Sequence, residues 1–412
     1  MKYGLIGEKL GHSFSKEIHA LLGDYEYELF EIPRDKLDEF MKQRDFIGIN
    51  VTIPYKEAVI PYLDWIHDPA KEIGAVNTII NYAGKLYGYN TDYDGMSELI
   101  FHAGIEVKGK KAAILGSGGT SKTAHVVLKS LGAGEVLNVS RSEKDGAITY
   151  DDLYEKHNDV EIIVNTTPVG MYPKIFDCPV DISKFKRIAG VIDAVYNPIN
   201  TTLVNEAKAR GIKAEGGLYM LVAQAAFASE LFLNENGNTS PYFINKFYNE
   251  IKRRKENIVL IGMPACGKST VGKILAKNTG RMLVDTDELI VKKAGMEITE
   301  IFRQYGEDKF RDIESEVIAE ISGNGSLIIA TGGGAILRDK NVRLLKKNGR
   351  LYFIDRPLDA LVPTDSRPLS SDRAAIEKRY EERYGIYSSV CDEKIDADCD
   401  AETVAEKILE NF

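Results

Sequence analysis

The sequence predicts an α/β protein whose domains are built on parallel β-sheets. Three observations lead to this prediction. Apolar segments of strand length alternate with helical segments along most of the chain. Glycine-rich loops at 116–121 and 262–269 each follow an apolar strand and precede a helix. A charged segment, 245–257, separates the halves of the chain that carry these loops.

Three domains are expected from the order of these elements and from a length of 412 residues. Residues 1–100, with strands at YGLIG, YEYELFEI and FIGINVTIP, form an α/β substrate domain, to which helices at about 220–248 return. Residues 101–219 alternate strand and helix (EVLNVSR, VEIIVNTTP, AGVIDAVY) and predict a doubly wound, Rossmann-like parallel sheet. Residues 257–412 begin with the strand NIVLIG and predict a further α/β domain with a parallel sheet.

Composition limits the possible partners. A net charge of −9 argues against a nucleic-acid-binding surface or one that binds anionic membranes. The four cysteines form no CxxC pair, which is typical of a reducing compartment. The first residues lack the apolar stretch of a signal peptide, and no run approaches the ~20 apolar residues of a membrane span. We therefore expect a cytoplasmic protein with small-molecule substrates, and the oligomeric state stays open.

The first glycine loop predicts a dinucleotide site. Its backbone N–H groups can approach a pyrophosphate at the start of a helix, although Ser121 stands where a third glycine is usual. The next strand ends in hydroxyl and basic residues instead of the acid that holds the ribose of NAD, which favours a 2′-phosphate and hence NADPH. The predicted cofactor-binding residues are Gly116, Ser117, Gly118, Gly119, Thr120, Ser140, Arg141, Ser142 and Lys144.

Residues 1–250 contain, in this order, the motifs GHSFSKEIH, NVTIPYKE, GAVNT, GYNTDYDG, NTTPVGM, DAVYNP and GLYMLVAQAA. Through these motifs the segment resembles shikimate dehydrogenase, with Lys16 as a departure where the family has proline. The resemblance implies that Lys56 donates the proton in a ketone reduction and that Asp92 poises it. It also implies a substrate site made of Ser13, Ser15, Thr52, Asn77, Asn90, Tyr196 and Gln224, and a cofactor contact at Gly217.

The second loop, GMPACGKST, matches the phosphate-binding pattern GxxxxGK[ST]. Backbone N–H groups would surround the phosphates, Lys268 would neutralise them, and Ser269 would bind Mg²⁺. The predicted ATP-binding residues are Gly262, Met263, Pro264, Ala265, Cys266, Gly267, Lys268, Ser269 and Thr270.

Residues 257–412 resemble shikimate kinase through LVDTDELI, KFRDIESE, ATGGGAIL and SRPLS. The resemblance implies that Asp285 acts on the Mg²⁺ side and that Asp287 binds the substrate and activates its hydroxyl. It implies that Arg311, oriented by Glu314, binds the substrate carboxylate. Gly332, Gly333 and Gly334 would approach the substrate, and Arg367 would cover the transferring phosphoryl group.

Two departures from the kinase pattern leave alternatives open. The lid RPLDALVPTDSRPLS is short and lacks an arginine ahead of RPL. Ser388 stands directly after Tyr387, where the family usually has a second carboxylate-binding arginine, which predicts a higher KM for the substrate; the candidates to compensate for it are Arg383, Arg379 and the partner domain. The favoured interpretation is a bifunctional enzyme of the shikimate pathway, which leads to chorismate and the aromatic amino acids. The alternatives are a quinate/shikimate dehydrogenase that uses NAD, and a kinase half that only binds ligands and regulates the reductase.

Overall fold

The computed structural model describes residues 2–11, 14–143, 146–234, 237, 239–361 and 373–412. The chain divides into two compact units, Met1–Lys252 and Arg253–Phe412. Each unit is built around parallel strands, so the predicted α/β class is confirmed. Among the helices that the structure describes, none is long and apolar enough to cross a membrane.

The first sheet of Met1–Lys252 is mixed. Its strands lie in the order β2-β1-β3-β5-β6-β4, and β5 runs antiparallel to its neighbours β3 and β6. Ile6, Ile49 and Ile79 pack together on one face of this sheet. Its elements are β1 (Tyr3–Gly7), α1 (Ser15–Leu22), β2 (Tyr27–Glu31), α2 (Leu37–Gln43), β3 (Gly48–Val51), β4 (Trp65–Ile66), α3 (Asp68–Ile73), β5 (Thr78–Tyr82) and β6 (Lys85–Tyr89).

The second sheet of this unit is parallel throughout, in the order β12-β11-β10-β7-β8-β9. Its central strands are mostly apolar and buried because helices cover both faces; the exceptions are half-buried Lys111 at the start of β7 and buried but polar Asn165 at the end of β10. The elements are α4 (Thr91–His102), β7 (Lys111–Leu115), α5 (Gly119–Ser130), β8 (Glu135–Ser140), β9 (Ile148–Thr149), α6 (Tyr150–Lys156), β10 (Ile162–Asn165), β11 (Gly190–Asp193), α7 (Thr202–Ala209), β12 (Lys213–Glu215), α8 (Gly217–Leu233) and α9 (Pro241–Lys255).

Helix α8 packs against α4 and α1, and the charged run IKRRK is the C-terminal end of α9. Apolar residues from α1, α4 and α8 share one buried cluster, which includes Ile18, Met96, Leu99 and Val222. The apolar helix α8 therefore connects the parallel sheet to the helices that flank the first sheet.

The unit Arg253–Phe412 has a parallel sheet in the order β14-β15-β13-β16-β17. The central strand is buried at every position, and the carboxyl ends of the strands meet at one edge. The elements are β13 (Asn257–Ile261), α10 (Lys268–Thr279), β14 (Met282–Asp285), α11 (Thr286–Ala294), α12 (Ile298–Ile321), β15 (Leu327–Ala330), α13 (Asp339–Leu345), β16 (Gly349–Asp355), α14 (Arg373–Val390), β17 (Glu393–Asp396) and α15 (Ala401–Asn411).

Candidate active sites

An ion pair between Lys56 and Asp92 lies at the centre of the first site. Lys56 follows β3, and Asp92 lies in the first turn of α4. The Lys56 Nζ atom is 2.5 Å from Asp92 Oδ2, and the two side chains are 24% and 15% exposed. This half-buried pair can hold a proton on the lysine and deliver it to an adjacent oxygen.

Amide and hydroxyl groups beside this pair form a buried network. Asn77 Oδ1 accepts a hydrogen bond from the Thr91 N–H at 2.7 Å, and Asn77 Nδ2 donates to Thr91 Oγ1 at 3.2 Å. Asn90 Nδ2 donates to the Ala75 carbonyl at 2.9 Å. Among the described residues, the buried Asn90 Oδ1 has no hydrogen-bond partner. A ligand hydroxyl could satisfy this oxygen, whereas leaving it unpaired is costly.

The other predicted substrate residues of this unit lie on nearby elements. Ser15 is buried at the start of α1, and the Phe14 ring before it makes an edge-on contact with Tyr196, with ring centroids 5.4 Å apart. Gln224 on α8 packs against Gly95, one turn after Asp92, and Thr52 is half-buried in the loop that carries Lys56. Ser13 falls outside the residues that the structure describes.

The first glycine loop connects β7 to α5. Gly116 has a φ of 113°, and a Cβ there would lie 2.8 Å from Thr166 Oγ1, so only glycine fits without strain. No side chain caps α5, and a Cβ on Gly118 or Gly119 would meet nothing within 4 Å. The loop therefore presents the free N–H groups of a helix start to open space, as a pyrophosphate site requires.

The residues predicted to bind a 2′-phosphate lie at the end of β8. Arg141 and Ser142 are exposed, and the Ser140 hydroxyl donates to the Ser142 carbonyl. Lys144 is not among the described residues. Gly217, the first residue of α8, has a packing requirement of its own, because a Cβ there would lie 2.2 Å from the Ala194 carbonyl oxygen.

In the second unit, the loop between β13 and α10 wraps around Lys268. The Lys268 side chain is buried, and Nζ donates to the Gly262 and Met263 carbonyls, each at 2.8 Å. Gly262 has a φ of 147°, and a Cβ there would lie 2.8 Å from the Ile354 carbonyl. The cation is thus fixed at the start of α10, where phosphates bind.

The metal-side residues lie next to this loop. Ser269 Oγ donates to Asp285 Oδ2 at 2.7 Å, and Asp285 Oδ1 caps α11 by accepting the Asp287 N–H at 2.9 Å. Among the described residues, no cluster of three or more His, Cys, Asp or Glu could hold a metal by itself. A hydroxyl and one carboxylate do suit Mg²⁺, which takes its remaining ligands from water and phosphate.

The buried Arg311 on α12 faces the glycines at 332–334. Arg311 Nη1 donates to Glu314 Oε2 at 2.8 Å, and the two side chains are 8% and 0% exposed. Burial raises the pKa of the Glu314 carboxyl, and the Arg311 charge opposes that rise. A Cβ on Gly334 would overlap the Arg311 guanidinium, and one on Gly332 would lie 2.7 Å from Asp287 Oδ1. These glycines therefore let the backbone approach the charged groups.

Arg383, and not the residue directly after Tyr387, lies against the glycines at 332–334. Ser388 is exposed, whereas Arg383, on the preceding turn of α14, is buried, and its Nη1 donates to the Gly333 carbonyl at 3.2 Å. The buried Tyr387 hydroxyl donates to the same carbonyl. Positions 383 and 387 share a helix face, and 388 turns away from it. Arg383 thus contacts the same run of glycines as Arg311, and the raised KM predicted from Ser388 stays a prediction.

Arg367 and most of the lid lie in the segment 362–372, beyond the described part of the chain. The other predicted residues of the second unit surround the carboxyl edge of its sheet. The sequence indicated Arg383 only as a candidate to compensate for Ser388, although its spacing gave a stronger signal. Arg379, Arg383 and Tyr387 recur every four residues, which places all three on one helix face.

Comparisons with known proteins separate along the same two units. A model of the shikimate dehydrogenase substrate binding domain matches residues 5–79, and a model of shikimate kinase matches residues 264–412. A shikimate dehydrogenase (NADP(+)) of Clostridium beijerinckii is 42% identical over 247 residues, which cover 56% of this chain and 91% of that relative. The chain belongs to the shikimate dehydrogenase family. Its second unit carries a shikimate kinase domain.

Solved shikimate dehydrogenases agree with this assignment. The enzyme from Peptoclostridium difficile is 38% identical with a TM-score of 0.55, and the match covers 61% of this chain and 97% of that one. A Thermus thermophilus shikimate 5-dehydrogenase, in complex with NADP(H) and shikimate, is 29% identical with a TM-score of 0.54, covering 61% and 99%. The matched share of the shikimate dehydrogenase chains is nearly their whole length, so the kinase domain is additional to that enzyme's usual extent.

Proposed function

We propose that this chain catalyses two consecutive reactions. The first unit reduces 3-dehydroshikimate to shikimate with NADPH, and the second phosphorylates shikimate at its 3-hydroxyl with ATP and Mg²⁺. The observation that carries the proposal is that one chain holds both the Lys56–Asp92 pair and the cluster of Lys268, Arg311 and Asp287. The product of the first site is the substrate of the second.

In the reduction, NADPH supplies a hydride to the carbonyl carbon of the ketone. Lys56 gives a proton to the carbonyl oxygen, so that the C=O bond becomes an alcohol and the lysine is left neutral. Asp92 holds the ammonium at 2.5 Å and orients it toward the substrate. Asn77, Asn90 and their neighbours bind the ring hydroxyls and reject ketones that leave these buried groups unpaired.

The choice of NADPH is supported by the end of β8. The exposed Arg141 and the hydroxyls of Ser140 and Ser142 suit a 2′-phosphate. An NAD enzyme usually has an acid at the end of this strand, whereas here the first acid is Glu143, after Arg141 and Ser142. An exposed guanidinium can reach a phosphate with two parallel hydrogen bonds. These groups argue against the alternative of an NAD-dependent quinate/shikimate dehydrogenase.

In the phosphorylation, the cationic groups of the second unit bind two anions. Lys268 and the N–H groups at the start of α10 hold the phosphates of ATP, and Mg²⁺, when bound beside Ser269 and Asp285, neutralises their developing charge. Arg311 and Arg383 bind the shikimate carboxylate. Asp287, beside Gly332, accepts a hydrogen bond from the attacking hydroxyl and orients it. Lys268, Asp287 and Arg311 are all present, which argues against a kinase half that only regulates the reductase.

The test supplies 3-dehydroshikimate, NADPH, ATP and Mg²⁺ together and measures shikimate 3-phosphate by mass. Lys56→Ala should abolish reduction and leave phosphorylation of added shikimate, and Lys268→Ala should do the reverse. Lys71→Ala, which removes an exposed ion pair with Asp68, is the matched control and should leave both steps unchanged. If the reductase works but no phosphorylated product forms, the second unit has a regulatory role and the proposal of two activities is wrong.

A cytoplasmic location is part of the proposal, because NADPH, ATP and free thiols are all typical of that compartment. Both substrates are small molecules, and no nucleic acid or membrane is required.

A further inference from the structure

A half-buried arginine next to the ATP loop has no part in the functions described so far. Arg356 directly follows β16, which lies beside β13 in the sheet with Ile261 opposite Phe353. The carboxyl ends of these strands share one edge, so Arg356 and the loop 262–267 are neighbours. The Arg356 Nη1 atom lies 3.9 Å from the position that a Cβ on Gly267 would take.

The charge of Arg356 is not balanced by the acidic residues near it in the sequence. Asp355 is occupied by Lys394 at 2.8 Å and by the Tyr384 hydroxyl at 3.1 Å. Asp359 is paired with Arg373 at 2.8 Å. Within the described part of the chain, no carboxylate or carbonyl oxygen accepts a hydrogen bond from Arg356.

A half-buried guanidinium without an anion is unfavourable unless a ligand provides one. The nearest anion site is the start of α10, where Gly267 is the N-cap and no side chain satisfies the first N–H groups. Pro357 restricts the Arg356 backbone to extended conformations, so the side chain starts from a fixed direction.

We propose that Arg356 binds the phosphate chain of ATP from the β16 side of the loop and supplies a positive charge there in addition to that of Lys268. Lys268 is held inside the loop by two carbonyls, so it reaches the phosphates from within. Arg356 would contact the same phosphates from the β16 side of the loop. This inference rests on the proposed ATP-dependent activity of the second unit.

The test is calorimetric titration of the full chain with ATP and with ADP, both with Mg²⁺ and without shikimate, at 50 and 500 mM KCl. Arg356→Gln should weaken both nucleotides about 10- to 100-fold at low salt, the loss of one charge-assisted hydrogen bond. Arg356→Lys should recover part of the affinity. Arg343→Gln, which breaks an exposed ion pair with Asp339, is the matched control and should bind as the wild type does.

Salt separates a phosphate contact from a contact with the base. Because exposed charge interactions are screened, the difference between wild type and Arg356→Gln should shrink at 500 mM KCl. A difference that does not change with salt, or nucleotide affinities within twofold of the wild type, would overturn the inference. Unchanged shikimate affinity of Arg356→Gln verifies that the unit is folded. If the wild-type chain itself binds no ATP, the proposed function fails instead.

Discussion

Gly334→Ala tests whether the backbone at 332–334 can lie close to Arg311 only because these residues are glycines. Gly334 has φ −105° and ψ 0°, which alanine tolerates, so the substitution introduces a methyl group without backbone strain. That methyl would lie 2.2 Å from Arg311 Nη1 and 2.4 Å from its Cζ. Since carbon atoms pack at about 3.5–4 Å, the guanidinium must move by roughly 1 Å or more.

The displacement should affect binding more than folding. The guanidinium is the end of a flexible side chain, and its partner Glu307 is 48% exposed and can follow it. We expect a loss of about 1–2 kcal/mol in the free energy of unfolding of this unit. The carboxylate of shikimate loses a charge-assisted contact worth about 1.5–3 kcal/mol, so its Kd should rise about 10- to 100-fold.

The assay is titration of the full chain with shikimate, and separately with ATP and Mg²⁺, followed by thermal unfolding. Gly385→Ala on α14 is the matched control, because a Cβ there meets nothing within 4 Å and alanine favours a helix. ATP affinity should stay unchanged in both variants. A shikimate Kd for Gly334→Ala within twofold of the wild type would refute the assignment of Arg311 to the substrate carboxylate.

Three further predictions concern other sites. Arg383→Gln should weaken shikimate binding about 10- to 100-fold in titrations, whereas Ser388→Arg should leave it unchanged because position 388 is exposed; the reverse result would contradict the helix-face argument. The free energy of unfolding should be about 1–2 kcal/mol lower for Gly116→Ala than for Gly118→Ala, because only the first substitution adds a clash at positive φ; equal stability of the two variants would contradict this. Burial raises the pKa of Asp94 to about 6, so the native state binds the extra proton and stability falls as pH rises from about 4 to 6. Asp94→Asn should flatten that part of the melting-temperature profile and stabilise the first unit by up to about 3 kcal/mol at pH 8, and an unchanged profile would show that Asp94 is not the titrating group.

The parallel sheets could be predicted because their strands are unbroken apolar runs between glycine loops and helices. KAAIL and NIVLI are apolar after their first residue and are followed by loops with positive φ at Gly116 and Gly262. The antiparallel hairpin β5–β6 was not among the predicted strands. Its turn uses Ala83 at φ 51° before Gly84, and alanine is an unusual residue for that conformation. Pairing of β5 with β3 and β6, which local sequence preference does not encode, stabilises this conformation of Ala83.

Residues in motifs were easier to place than residues that act through a helix face. Lys56 and Asp92 are 36 positions apart, yet their motifs were sufficient to predict a pair that lies at 2.5 Å. Arg383 belongs to no contiguous motif, and its place on the same helix face as Tyr387 follows only from their spacing along the chain. Ser13, Lys144 and Arg367 fall outside the described residues, so their predicted roles stay predictions.

The arginines around the glycines at 332–334 also favour the binding of an anion in this site. Burial lowers the pKa of Arg379, and the nearby charge of Arg383 lowers it further. Like charges held together in a partly buried site repel one another, and each must also give up water. Glu314 pairs with Arg311 directly, whereas Arg383 donates to the Gly333 carbonyl, and among described residues its buried Nε has no partner. We expect a carboxylate bound between Arg311 and Arg383 to satisfy that donor and to reduce the repulsion, which would favour the binding of an anionic substrate.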